Sequence, residues 1–455
     1  MHYFFLACLL ACAPYHANNG MIGSRPVIFV LIFIAVVLMF TEIGEISALS
    51  QLNGGGREVN TDDTPPLSHD EIEFLKSLDY LERDDIESAY AVLERNFMDS
   101  ARNPDPEKRI NRLSQRKISL GGGTTFTSEY KLRADLEQAR YLAETLYDKE
   151  QGEPQKAEFF ASVVVPVYEK ILSRIPTLEQ LDETMGLYKF QRQDVENGIM
   201  GVYNRALHVP DVPATRADGS HIPIFGETLN PAQIQREWVE SNGIVVVDDV
   251  LSKETLDLIQ QKIMWESTVW YQTKLPQRFG GYAGAYIDDG LHQRILLQLS
   301  IELRKLLPDI FDGHPLKYMW AYKYDSDSNF GGINLHADEA AINVNLWLTP
   351  NEANIDPNSG GLVIYTVKPP QDWDFELYNR DTDFVYEHLL KPSGFANITV
   401  PYRVNRAVIF DSALFHNSDE FTFRKGYKNR RINLTLLYGD MKKQQQPLSQ
   451  ESSEL

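Results

Sequence analysis

The chain predicts an α+β protein: an apolar N-terminal anchor, then a helical bundle, then an antiparallel sandwich or jelly roll. Three observations carry this expectation. Fifteen uncharged residues run from Pro26 to Phe40. Apolar residues recur at three- and four-residue spacing between Leu75 and Ile175. Beyond Lys317 the apolar segments are short, alternate with polar residues and are separated by Gly, Asn and Pro.

Each segment follows in order. Arg25 precedes the apolar run and Glu42 and Glu45 follow it, which predicts a cytoplasmic N-terminus and a translocated body. Residues 1–48 are therefore expected to form a leader, with 26–43 in the bilayer of a single-pass membrane protein. The alternative is a secreted protein whose signal peptide is cut near Ser47 and Ala48. Residues 49–67 read as a flexible stem, rich in Gly, Asn, Asp and Pro. Residues 68–209 read as a helical domain. Ser68 and Glu71 suit a capping box, Leu75, Leu78, Ala89, Val92 and Leu93 keep helical spacing, and Asp84-Asp85 divides the run. A polar, Gly-rich loop is expected over 101–125, and the helical period resumes with Leu132, Leu136, Phe160, Val164 and Ile171. With no fixed repeat, this segment reads as a bundle of four to six helices.

A Pro/Gly-rich linker is expected over 210–232, and the jelly-roll domain over 233–441. That domain opens with a buried strand at 243–252 and a helix capped by Ser252. A Gly/Tyr-rich loop, FGGYAGAYIDDG, precedes a helix at 291–306. Strands are then expected at 317–324, 341–348, 361–367, 397–402, 406–411 and 431–438, with a disordered tail over 442–455.

Composition narrows the function. There are 44 basic and 64 acidic residues, a formal net charge of -20, which argues against nucleic acid as a partner. The cysteines are Cys8 and Cys12, so beyond residue 12 no disulfide framework, thiolate zinc site or iron-sulfur cluster can form. Any metal held there needs His, Asp or Glu.

In NLHADEAAINVNLWLTP, residues 334–350, His336 and Asp338 stand two positions apart, so in extended chain both leave one face and can converge on an ion. By itself His-x-Asp is a common chance pairing. His416, eighty residues after His336, follows the strand at 406–411 and adds a second imidazole. Two imidazoles and one carboxylate form a facial set that suits non-haem iron(II) and leaves positions open. Arg431 shares a strand face with Asn433 and Thr435. A guanidinium inside a barrel is costly unless an anion meets it, and a carboxylate fits its planar fork.

At these residues the chain resembles the iron(II)- and 2-oxoglutarate-dependent dioxygenases of prolyl-hydroxylase type, over residues 240–440. Their His-x-Asp, distal His and Arg-x-Ser pattern stands here as HAD at 336–338, His416 and Arg431-Ile432-Asn433. The stretch SGGLVIYT also resembles the family's central strand. Asn433 departs from the usual Ser or Thr.

The resemblance implies a double-stranded β-helix catalytic domain with iron(II) on His336, Asp338 and His416. It also implies 2-oxoglutarate as co-substrate on Arg431 and Asn433, dioxygen as oxidant, and ascorbate as an accessory reductant. Asp338 points to hydroxylation rather than halogenation, because the family's halogenases carry a small residue at that position. Tyr322, Tyr324, Asn343 and Tyr365 are expected around the pocket. The substrate is open, with a protein or peptide as one candidate, and a non-catalytic jelly-roll binding module is the alternative function. The remaining histidines, among them His208 and His292, are expected at the surface or as caps. The aromatic insert 369–396 reads equally as a lid or as a packed loop.

Overall fold

Ser68 caps the first helix: its hydroxyl accepts from the Glu71 amide and the Glu71 carboxylate accepts from the Ser68 amide. That helix, α1 (His69–Glu82), stops at Asp84, whose φ of 64° lies in the left-handed region. Asp85 then caps α2 (Ile86–Phe97) through the Ser88 amide. The computed structural model describes residues 67–99, 126–147, 152–176, 188–274, 281–324, 332–370 and 373–441. The apolar run 26–43, Cys8 and Cys12, the stem before Leu67, the loop 101–125 and the tail 442–455 all lie outside the described residues. Among the described residues no helix is long and apolar enough to cross a membrane.

The helical segment continues with a short strand β1 (Phe126–Thr127), α3 (Glu129–Thr145), α4 (Pro154–Phe159), α5 (Val165–Leu172), β2 (Tyr188–Lys189), α6 (Arg192–Glu196) and α7 (Ile199–Val202). Its helices do not share one core. Leu132, Leu142, Phe160, Ile171 and Tyr203 build a helical cluster from α3 onward. Phe74, Leu81, Leu93 and Phe97 of α1 and α2 instead join the large core formed with the sheet described below. An amphipathic helix buries its stripe on whichever apolar face offers most area, and the back of a sheet offers more than another short helix. The Pro/Gly-rich stretch 210–232 also differs from a linker. Val212, Ile222 and Ile224 are buried in the same core, and α8 (Pro231–Glu240) begins within the stretch.

The remaining strands are β3 (Ile244–Val247), β4 (Gln272–Lys274), β5 (Tyr282–Tyr286), β6 (Leu316–Tyr324), β7 (Ile342–Trp347), β8 (Leu362–Tyr365), β9 (Asn397–Val400), β10 (Ala407–Asp411), β11 (His416–Ser418) and β12 (Ile432–Tyr438). Helices interrupt them: α9 (Lys253–Leu258), α10 (Arg294–Leu306), α11 (Pro308–Phe311), α12 (Phe375–Arg380) and α13 (Thr382–Val385). Seven strands form an antiparallel sheet in the order β3-β10-β7-β12-β6-β5-β4, and three form a smaller one, β11-β8-β9. The loop expected at 279–290 contains β5, which pairs with β6 from Tyr282↔Tyr324 to Tyr286↔Trp320. Its small residues hide strand character from sequence, and at Gly284 a Cβ would stand 2.9 Å from the Tyr286 ring.

The two faces of the larger sheet separate by parity. Ile342, Val344, Leu346, Ile432, Leu434, Leu436 and Ile409 face the helices and make the large core. Their alternates Trp347, Val408 and Phe410 face the smaller sheet and pack with Leu362, Ile364, Val400 and Tyr402. The polar residues of β7 lie on this second face. They line the space between the sheets rather than solvent, since Asn343 is 0 % and Asn345 7 % exposed.

Candidate metal centre

His336 and His416 meet across a two-bond bridge: each backbone amide donates to the other residue's carbonyl, at 3.0 and 2.8 Å. This is what brings residues eighty positions apart together. Their rings stand 4.3 Å apart between centroids. Each Nδ1 is tied back to a carbonyl two residues earlier, His336 to Asn334 at 2.8 Å and His416 to Leu414 at 3.1 Å. Both Nε2 atoms are thereby left for a ligand role. Nε2 of each lies 3.6 Å from one Asp338 oxygen, and the three donor atoms lie within 4.8 Å of one another. Among the described residues this is the group of His, Cys, Asp or Glu with metal-holding geometry.

The surroundings fit a metal. Burial, and then the neighbouring His336, lower His416 to about 4, so at neutral pH the imidazole carries a free lone pair. Asn343 donates to Asp338 Oδ2 at 2.5 Å, and Ser412 Oγ donates to the Asp338 carbonyl at 3.1 Å. The Asn343 oxygen in turn accepts from Asn345 at 2.7 Å, and the Asn345 oxygen accepts from Thr435 at 3.1 Å and Asn433 at 3.3 Å. This chain of amides aims the carboxylate. The His336 side chain keeps 27 % exposure against 4 % for His416, so the cluster opens on the His336 side.

Arg430 and Arg431 are both buried, at 3 % and 2 %, on opposite faces. Arg430 turns to the helices, where Nε donates to Glu137 of α3 at 2.9 Å. Arg431 turns between the sheets: Nε donates to the Gly360 carbonyl at 2.8 Å and Nη2 to the Gly361 carbonyl at 3.0 Å. Its guanidinium carbon lies 4.8 Å from the Tyr324 ring centroid and 5.2 Å from that of Phe421. Nη1 is buried without a partner. The glycine pair is needed here, because a Cβ on Gly361 would stand 1.8 Å from the Val400 carbonyl and Gly360 has φ +84°. A buried fork with one free donor, flanked by rings and met by carbonyl oxygens, fits a carboxylate.

The other expected pocket residues divide. Tyr324 and Tyr322 share the inward face of β6. Burial raises both phenols, and Tyr322 lies within electrostatic reach of Asp338. Asn433 is inward too, but its Nδ2 is spent on Asn345 and Thr435, leaving Oδ1 without a partner. An acceptor does not suit a carboxylate, so Asn433 would have to turn its amide over to contact one. Tyr365 faces away. Ile364 is the register partner of His416, so Tyr365 takes the opposite side and packs with Tyr378, Val385 and Phe415. His208 and His292 are buried at 4 % and 2 %, not superficial; His292 Nε2 lies 2.8 Å from Glu94.

The described part of the insert packs against the segment that carries the candidate ligands, in keeping with the packed-loop expectation. Asn379 of α12 holds the segment between the first two candidate ligands: Ala337 N donates to its Oδ1 at 2.9 Å and its Nδ2 donates to Ala337 O at 3.0 Å. No local pattern marks Asn379 in the sequence, since its partner lies 42 positions earlier.

No family model matches the chain, and no curated protein matches it. The chain is similar to solved 2-oxoglutarate- and iron(II)-dependent oxygenases. One is a Pseudomonas putida prolyl-4-hydroxylase, at 14% identity over 47% of this chain and 100% of that one, with a TM-score of 0.31. A second is a 2-oxoglutarate-iron(II) oxygenase-family oxidoreductase from Burkholderia pseudomallei, at 11% identity, 47% and 92% coverage and a TM-score of 0.31. A third is HygX from Streptomyces hygroscopicus, crystallised with nickel, 2-oxoglutarate and hygromycin B, at 15% identity, 46% and 86% coverage and a TM-score of 0.31.

Proposed function

We propose that the chain is an iron(II)- and 2-oxoglutarate-dependent dioxygenase that hydroxylates an unactivated C–H bond of its substrate, with protein side chains as one substrate class to screen. The observation that carries this is the convergence of His336, Asp338 and His416 beside a polar interior that also holds a buried guanidinium with a free donor. His336, Asp338 and His416 would hold the ion, and the open His336 side would admit a co-substrate. When bound, iron couples oxidative decarboxylation of 2-oxoglutarate to insertion of one oxygen atom into the substrate.

The chain's own residues do the positioning. Arg431 takes the distal carboxylate of 2-oxoglutarate, with Tyr324 covering one side of the guanidinium. Asn343 holds Asp338 in one orientation through Oδ2, leaving Oδ1 toward the ion. The Phe410 ring packs edge-on against His416 at 4.9 Å and shields that imidazole from water.

The test is anaerobic titration of iron(II) and then 2-oxoglutarate into the purified body. A visible charge-transfer band is expected, followed by oxygen-dependent succinate release. A protein that shows neither band nor succinate is a binding module, and the enzyme reading fails. We also propose an extracytoplasmic body anchored through residues 26–43, supported by Arg25 before the apolar run and Glu42 and Glu45 after it. Digestion of the body by protease added to the cytoplasmic face of sealed membranes would overturn it.

A further inference from the structure

We propose that the aromatic insert is a buttress built behind the metal ligands, with Asn379 the residue that positions them; this rests on the metal reading above. The three candidate ligands and their chain neighbours divide by parity. His336, Asp338 and His416 face the cluster. Leu335, Ala337 and Phe415, the residues alternating with them, face the other way and pack with Tyr378, Val385 and Leu390 of the insert. The Tyr378 ring meets that of Phe415 edge-on at 5.1 Å. The insert therefore has its own small core, and the far side of that core is the backbone that carries the ligands.

Asn379 adds direction to this packing. Between His336 and Asp338 the chain is pinned from the cluster side through His416 and Ser412. Ala337 is pinned from the insert side, its amide and its carbonyl both bonded to one Asn379 side chain. A primary amide is the side chain that can meet both groups of one residue at once, as a neighbouring strand would. Rotation of Ala337 would turn both flanking side chains, so the bidentate pairing holds the separation and tilt of His336 and Asp338. Groups that orient ligands in this way tune metal affinity by about 10- to 100-fold.

The test uses Co(II) as the probe, read by calorimetry and by its visible ligand-field spectrum, together with apo-protein thermal melts. Asn379→Ala is expected to weaken Co(II) binding about 10-fold and to change the band's shape. Asn379→Asp, which keeps the bond from the Ala337 amide and loses the one to its carbonyl, should fall between that variant and wild type. Glu387→Gln, an exposed change in the same insert at a residue that pairs with Lys391, should leave affinity and spectrum as in wild type. If Asn379→Ala does not fold, Asn379→Asp alone decides by its spectrum. Wild-type affinity and band shape in the Asn379 variants would overturn the buttress. A wild-type chain that takes up no Co(II) would overturn the metal reading and the buttress with it.

Discussion

Strands β7 and β12 present two faces that are equally buried and chemically opposite. On one, Ile342, Val344, Leu346, Ile432, Leu434 and Leu436 pack against the helices; on the other, Asn343, Asn345, Asn433 and Thr435 look between the sheets, and none of these residues is more than 7 % exposed. The apolar face yields the hydrophobic stabilisation that holds sheet to helices. The polar face yields little, because each amide exchanges water for another amide and one acceptor, Asn433 Oδ1, stays unmet. A protein keeps such a face for what it holds in place. Here that is Asp338 at one end and Arg431 near the other.

The comparison can be broken most severely at the metal end. His336→Ala should abolish metal-dependent turnover, by on the order of 1,000-fold or more, while the apo melt stays near wild type because the side chain is partly exposed. Iron titration beside a thermal melt checks both halves. Arg431→Met should raise the KM for 2-oxoglutarate by about 100-fold, as expected for removing one member of a buried charge pair. Without co-substrate the same variant should be no less stable than wild type, since it removes a buried cation that no acid offsets among the described residues. A loss of apo stability in that variant would mean Arg431 is structural.

The apolar face should respond in the opposite way. Leu434→Ala, at 0 % exposure, should cost about 2–5 kcal/mol in urea unfolding and leave the KM for 2-oxoglutarate unchanged. The smallest effect concerns pH. His416 is lowered to about 4 from an unfolded value near 6.5. The native state thus binds its proton less readily than the unfolded chain. His416's contribution is complete above about pH 6.5 and is lost as pH falls toward 4, on the order of 3 kcal/mol at most. Urea unfolding of the metal-free protein across that window checks it, and His416→Gln should flatten the slope.

Much of the site was legible because spacing alone decides which side chains share a face. His-x-Asp places two donors together, whereas only the phase that RINLTLLY shares with the strand of the family it resembles favours Arg431 over Arg430. The strand positions were legible for the same reason, within a residue or two at β6, β7, β10 and β12. β5 was not, because Ala and Gly carry little strand preference and pairing with β4 and β6 is what makes YAGAY extended.

What the sequence determined by itself, then, is local: capping at Ser68 and Asp85, the periods of helices and strands, and a donor set that can hold a metal only through His and carboxylate. The tertiary structure decided every question of which distant segment lies behind a given face. It turned Tyr365 away from the cluster, sent α1 and α2 to the sheet, and set Asn379 against Ala337. The physical reason is that a polar residue on an alternating strand reads the same whether its face meets solvent, a barrel interior or another segment. Only packing between segments far apart in the chain distinguishes those three surroundings.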